Sequence, residues 1–276
     1  MTAALPSTAH MHAPITLHLR FVDIGRRTYR VLTLPPARDV RFSNNYFHDT
    51  WHILSCVSGG AFLGRLLWGL AFTRQPHTLL LIDEPHLVPT PFEADPAMPM
   101  LFWPTEHTAL AAADIVTLRH RVARMPHSHK RVKLQTFGLT SASQETEPYA
   151  RDSTAHWRHE KITVQKNTLC YRAPAAILRH HARVLTQPRP LGPTGSTHHY
   201  IAEGPPAHWR PVGEVQVFAD FAQRVTLAMR ARQEVLATHR ATHALHTNLA
   251  NDELRFEIWR RSAAFLNRHD EQFSSK

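Results

Sequence analysis

Ser43 to Val88 reads SNNYFHDTWHILSCVSGGAFLGRLLWGLAFTRQPHTLLLIDEPHLV. An apolar run, clustered glycines and reactive side chains coincide here, so the reading of this stretch decides both the fold and the chemistry. Ile53 to Phe72 runs for 20 residues with Arg65 as its only charge, and Gly60 and Gly64 have the GxxxG spacing that lets two helices approach closely. One reading is a single membrane span over 53–72, which would carry a central arginine at a cost of about 2.5–3.5 kcal/mol. The other is a strand from Trp51 to Val57 that turns at the glycines into a helix from Ala61 to Phe72, both buried in a folded core. Ser55, Ser58 and the glycine pair weaken the membrane case, and the strand-turn-helix is the preferred expectation.

Outward from this segment, Ile15 to Leu34 alternates apolar and polar residues on either side of Asp23 and Gly25, the pattern of a β-hairpin, and Pro35 and Pro36 end it. Thr78 to Ile82 is a short apolar strand of the kind buried on both faces. Prolines and acids from Pro85 to Pro104 predict a loop-rich excursion. A helix is expected over Thr108 to Arg124, strands over Val132 to Phe137 and Lys161 to Tyr171, and a helix over Ala173 to Leu185. From Gly213 the chain reads as helix almost to its end, interrupted near Asn248 to Asp252. The expected fold class is α+β: a small mixed core domain with an N-terminal β-hairpin and a long helical C-terminal region. Its divisions are a mixed α/β core over 1–139, a polar, proline-spotted wrapping segment over 140–210, and a helical region over 211–276.

The chain has 276 residues and a net charge of +10, and a field of that sign concentrates phosphate-bearing partners. Of its 32 cationic residues five are lysine, leaving 27 arginines, whose planar forks hold phosphate or carboxylate through two parallel bonds. The densest run is RHRVARMPHSHKRVK, in which Arg119, Arg121, Arg124, Lys130, Arg131 and Lys133 are the candidate anion-binding residues. Few aromatics interleave there, so contact with a nucleic-acid backbone is expected rather than base stacking. Cys56 and Cys170 form no paired motif, and the start of the chain has no charged segment followed by an apolar one. A reducing compartment is therefore expected, mitochondrial or cytoplasmic, with no secretory signal.

Four chemistries can be drawn on the remaining reactive residues. Cys56-Val57-Ser58-Gly59-Gly60 between a strand and a helix resembles the nucleophile elbow of α/β-hydrolases, which implies a serine hydrolase with Ser58 as nucleophile. The likeness covers about thirty residues, and His198 or His199 is nominated as base only by position. His48-Asp49-Thr50-Trp51-His52 is similar to the HDxxH helix of a family of ubiquinone-biosynthesis proteins, which implies a metal held by His48, Asp49 and His52. Gly64 and Arg65 stand where that family places a further carboxylate. Gly59 to Gly64 with Leu81-Ile82-Asp83-Glu84 has the outline of a phosphate loop without its lysine or its magnesium-holding hydroxyl. His239, His243 and His246 share a helix face but span about 10 Å of rise, too far for one zinc ion.

The expected function is a non-catalytic, basic scaffold or interaction subunit of a large assembly, a ribonucleoprotein such as an organellar ribosome before others, with no cofactor. Its partners would be other subunits of that complex and RNA. The alternatives are the Ser58 hydrolase and an accessory subunit of a membrane complex spanning at 53–72.

Overall fold

The apolar run divides at Cys56. In the computed structural model, which describes residues 13–125, 130–139, 159–187, 189–202, 212–242 and 251–274, the first half of the chain forms β1 (Ile15–Ile24), β2 (Arg27–Thr33), β3 (Phe42–Phe47), β4 (Thr50–Cys56), α1 (Val57–Ala71), β5 (Thr78–Ile82), β6 (Met100–Pro104) and α2 (Ala112–Arg124). The second half adds β7 (Arg131–Leu134), β8 (Lys161–Val164), β9 (Leu169–Ala173), α3 (Ala175–Thr186), β10 (Ser196–Ile201), β11 (Gly213–Phe218), α4 (Phe221–Thr242) and α5 (Asn251–Ser274). The fold is α+β, with an N-terminal hairpin and a helical C-terminal region.

Threonine, tryptophan and isoleucine suit the pleated stretch 50–56, and what stops it is a cap: Cys56 is extended, with φ −77° and ψ 168°, and its Sγ accepts from the Gly59 amide at 3.4 Å. The single span over 53–72 is therefore corrected to a strand end plus a 15-residue helix. Such a helix is about 22 Å long against a hydrocarbon core of about 30 Å. No helix among the described residues is long and apolar enough to cross a membrane. Twelve of the fifteen residues of α1 are buried, because the helix lies between two sheets rather than on one.

The larger sheet has the order β7-β1-β2-β5-β6-β9-β8 and the smaller one β10-β11-β4-β3. The principal core packs Leu17, Leu19, Leu80 and Phe102 of the large sheet, Leu63, Leu66 and Leu67 of α1, Ile177 and Leu178 of α3, and Ile53 and Val215 of the small sheet. Helix α2 covers the other face of the large sheet through Ile115, Leu118 and Val122, against Val31, Leu79 and Trp103. Phe221 and Val225 at the start of α4 cover the other face of the small sheet against Leu54 and Phe218.

The glycines of α1 are explained by these layers. A Cβ at Gly64 would lie 2.9 Å from the Ala182 carbonyl oxygen of α3, and one at Gly69 would lie 2.2 Å from Leu134 Cγ. Close helix–helix approach, the physical content of the GxxxG spacing, thus operates here between α1 and α3 in the packed core.

The N-terminal hairpin has the expected form, with Ile24 opposite Arg27 and Gly25 at φ 59° in the turn. Strand β5 has all five residues buried, between β2 and β6. Three expectations are corrected. Lys161–Tyr171, expected as one strand, is the antiparallel pair β8–β9 with a left-handed turn at Lys166 and Asn167. Met100–Pro104 lies inside the stretch expected to be loop, yet its five buried residues form a central strand between β5 and β9. Gly213–Phe218, expected to begin a helix, is β11, hydrogen-bonded to β10 on one side and parallel to β4 on the other. Its period-2 burial places Gly213, Val215 and Val217 on the core side.

The C-terminal helices are fastened by charge. Asp95, in the loop before β6, accepts from Arg232 of α4 and Arg255 of α5, each at 2.7 Å, and Arg232 also donates to the Glu93 carbonyl at 3.1 Å. Charged hydrogen bonds of this kind contribute about 1.5–3 kcal/mol when partly buried. Asp95→Ala is expected to speed amide exchange in Asp252–Ala264 about tenfold, with β4 and β5 unchanged. Equal protection of α5 in both proteins would show that Asp95 does not hold it.

Candidate functional site

The six cations singled out in the sequence do not form one patch. Arg119 turns away: its Nη1 donates to the Asn167 carbonyl at 3.3 Å and to Thr168 Oγ1 at 3.1 Å, at the β8–β9 turn. The other five are spread along one side of β1: Arg121 and Arg124 in the last turn of α2, which packs on β1, and Lys130, Arg131 and Lys133 on or beside edge strand β7. Arg121 and Arg124 are exposed in the last turn of α2, where cations also favour the negative end of the helix dipole. Arg131 pairs with His18 and Lys133 with Thr16, so both stand on the sheet face that α2 covers, because Leu17 between them faces the principal core.

Lys130 lies just before β7, its Nζ 5.2 Å from the centre of the exposed Phe21 ring, which Arg30 Cζ approaches to 5.4 Å. This aromatic is invisible in the basic run itself. Arg121 donates to the Asp23 carbonyl, which orders the side chain without neutralising it. Among the described residues Arg121, Arg124, Arg131 and Lys133 have no carboxylate partner. The candidate site is therefore a stretch of exposed cations along β1, without carboxylate partners among the described residues and with one aromatic ring beside it.

The metal arrangement over His48, Asp49 and His52 is corrected. That segment is no helix: Phe47 pairs with Thr50, and His48 (φ 48°) and Asp49 (φ 60°) form the two-residue turn of the β3–β4 hairpin, a conformation such polar residues tolerate. His48 stacks on Phe47, with ring centres 3.8 Å apart, and His52 points to Glu214, its Nε2 3.6 Å from Oε1. Burial, with the charges of His48 and His198, pushes His52 down to about 4. No cluster of three metal-ligating side chains occurs among the described residues.

Ser58 is the second residue of α1, with helical backbone, and its Oγ lies 3.2 Å from Cys56 Sγ. The strand-to-helix turn exists, but its serine is an ordinary first-turn residue without the left-handed strain of an elbow and, among the described residues, without a histidine bonded to it. Gly59 to Gly64 are likewise helical and close-packed, not a phosphate-cradling loop. On α4, His239 bonds Glu257 of α5 at 2.8 Å, while His243 and His246 lie outside the described residues.

A second constellation has no signature in the sequence. Glu160, just before β8, has a fully buried side chain whose Oε1 accepts from the Tyr171 hydroxyl at 2.6 Å and from His181 Nε2 at 2.8 Å. His181 of α3 uses its other nitrogen, Nδ1, to bond His199 Nε2 of β10 at 2.7 Å. His199 in turn lines a cavity of about 390 Å3, between the first turn of α1, the end of α3 and the core-facing side of β10 and β11. The residue before β8, α3 and β10 thus supply a carboxylate–histidine–histidine chain that leads from the core to an opening, with Tyr171 of β9 bonded to its carboxylate end.

The electrostatics of this chain are set by burial. Burial acts on Glu160 first and upward, yet the charge of His181, the bonds from His181 and Tyr171, and a backbone bond from Ala202 together hold the carboxyl below its usual range. Tyr171 is driven far above an ordinary phenol by burial and by the adjacent carboxylate. Burial, then the charges of His181, Arg189, His180 and His198, pushes His199 down to about 2, so it is neutral at pH 7. His180 falls to about 4, chiefly through burial.

Comparison with protein-family models, with curated proteins and with solved structures finds no match to this chain.

Proposed function

We propose that the chain is a basic, non-catalytic interaction subunit that grips the phosphate backbone of RNA within a larger assembly, of which an organellar-type ribosome is the first example. The observation that carries this reading is the row of Arg121, Arg124, Arg131 and Lys133, four exposed cations from a helix end and a sheet edge along β1 with no carboxylate partner among the described residues. The net charge of +10 points the same way, since it draws polyanions over distances beyond contact. Phe21 beside Lys130 adds a ring on which one unpaired base can stack, a contribution of about 1–3 kcal/mol.

Each phosphate contact on single-stranded RNA releases condensed counterions and steepens the plot of log affinity against log salt by about 0.7. Four contacts predict a slope near −3 from this row alone. Changing Arg121, Arg124, Arg131 and Lys133 together to glutamine is expected to remove about 3 from the slope measured by fluorescence anisotropy, and to leave thermal unfolding unchanged. The distant exposed Arg240→Gln serves as the control. An unchanged slope in the fourfold variant would refute the reading.

A further inference from the structure

Two exposed phenylalanines border one buried tryptophan at the C-terminal end of α1. Phe72, which caps that helix, is 55% exposed and Phe137, three residues beyond β7, is 84% exposed, whereas Trp68 is 4% exposed. Trp68 touches both. Its ring meets Phe72 edge to face with centres 5.1 Å apart, and its Nε1–H donates to the Phe137 carbonyl at 3.0 Å, which ties the backbone that carries the outer ring. Two guanidinium groups of α3 lie against the same aromatics, Arg179 Cζ 5.5 Å from the Phe72 ring centre and Arg183 Cζ 5.5 Å from that of Trp68. Arg179 has no carboxylate partner among the described residues. Core packing does not account for a phenylalanine as open to water as Phe137.

We propose that Phe72 and Phe137 form a stacking platform for the unpaired bases of single-stranded RNA. This role rests on the RNA reading above and goes beyond it, because the row of cations along β1 is indifferent to whether the strand is paired and the two rings are not. Every base has a flat π face, so an open ring accepts any of them, and a guanidinium beside the ring adds a second flat surface and a charge that attracts phosphate. A duplex keeps those faces covered. Continuity with the basic row selects RNA as the occupant over a protein surface. Lys133 and Phe137 are four positions apart, so at most about 14 Å of chain separates the last cation of the row from the outer ring. Strand β7 is the edge of the large sheet, and Leu134 packs at Gly69 of α1 while its neighbour Lys133 stands on the opposite face. A single strand held by its phosphates on Arg131 and Lys133 can therefore pass around that edge and lay its bases on the rings.

Fluorescence anisotropy of the full chain with a labelled single-stranded RNA of about 12 nucleotides, and with the duplex of the same sequence, tests this directly. Leucine keeps the bulk of each side chain and removes its π face. Phe72→Leu and Phe137→Leu are each expected to weaken single-strand binding about tenfold, with the salt slope and the affinity for the duplex unchanged. Tyrosine at both positions is expected to restore single-strand affinity. Single-strand affinity that is unchanged in the double leucine variant, an equal loss on the duplex, or no rescue by tyrosine would overturn the platform. Each of those results leaves the basic row standing, since that row is read from the salt slope of its own fourfold variant. A parent chain that binds neither RNA would overturn the platform and the RNA reading together.

Discussion

His181→Leu is expected to destabilise the fold by about 3–5 kcal/mol, which in urea is a loss of a large share of the stability of a typical domain. The reason is the carboxylate left behind. Glu160 has no solvent exposure, and without His181 it keeps only the Tyr171 hydroxyl at 2.6 Å and a backbone bond from Ala202. A lone buried charge costs more than the pair was worth, so removing both members should be milder than removing one. The double variant Glu160→Gln with His181→Leu is expected to recover a good part of the loss.

The pH dependence has a definite sign. The folded Glu160 carboxyl is held below its usual range, so its stabilising contribution is present above the ordinary carboxylate range and is lost as pH falls through the folded value. In His181→Leu that carboxyl is protonated more readily, and the gap between variant and parent should narrow as pH drops toward 4. His52, His180 and His199 act in the same direction in the parent: all are neutral when folded and take up protons when unfolded, so stability falls as pH drops below about 6.5. A gap independent of pH, or a double variant no better than the single one, would show that Glu160 and His181 are not coupled.

Gly64→Val is expected to cost about 3 kcal/mol, and Gly64→Ala to be destabilising as well, by about 1–2 kcal/mol. Intrinsic helix propensity argues the other way for alanine, by about 1 kcal/mol in its favour. Packing decides the sign. A Cβ at Gly64 meets a backbone atom, the Ala182 carbonyl oxygen, at 2.9 Å, with Thr186 Cγ2 at 2.9 Å and Leu185 Cβ at 3.0 Å, and a helix backbone cannot step aside as a side-chain tip can. The measurement is the urea midpoint at unchanged m-value. A stabilised Gly64→Ala would place α1 and α3 farther apart than the fold described above.

What could be read from the sequence was local. The alternation around Gly25 specified the β1–β2 hairpin, the apolar Thr78–Ile82 specified a buried strand, and the change from β-branched residues to glycine and leucine at Cys56 specified the strand-to-helix turn. Where two local signals competed, tertiary pairing chose between them. Met100–Pro104 is flanked by prolines and reads as loop, but β5 and β9 offer it hydrogen bonds on both sides. Gly213–Phe218 merges into an apolar helix pattern, and only its pairing with β4 and β10 gives its alternation meaning. His48 and His52 at helical spacing carried no information about the left-handed turn between them.

The candidate sites divide in the same way. The basic run is a local feature of the sequence, helix end and strand being neighbours in the chain, but the course of its side chains is not: Arg119 reaches instead to the β8–β9 turn. The Glu160–His181–His199 chain had no motif to reveal it. Its members and Tyr171 come from the residue before β8, from α3, from β10 and from β9, and only the closing of the two sheets around α1 and α3 brings them within 3 Å of one another.

The central claim, an RNA-gripping subunit of a larger particle, is tested most directly by sedimentation of the native protein from gently lysed cells of its source, with and without ribonuclease. The account predicts that the protein travels with fast-sedimenting particles and moves to light fractions once the RNA is cut. A slow-sedimenting protein that ignores the nuclease would contradict it.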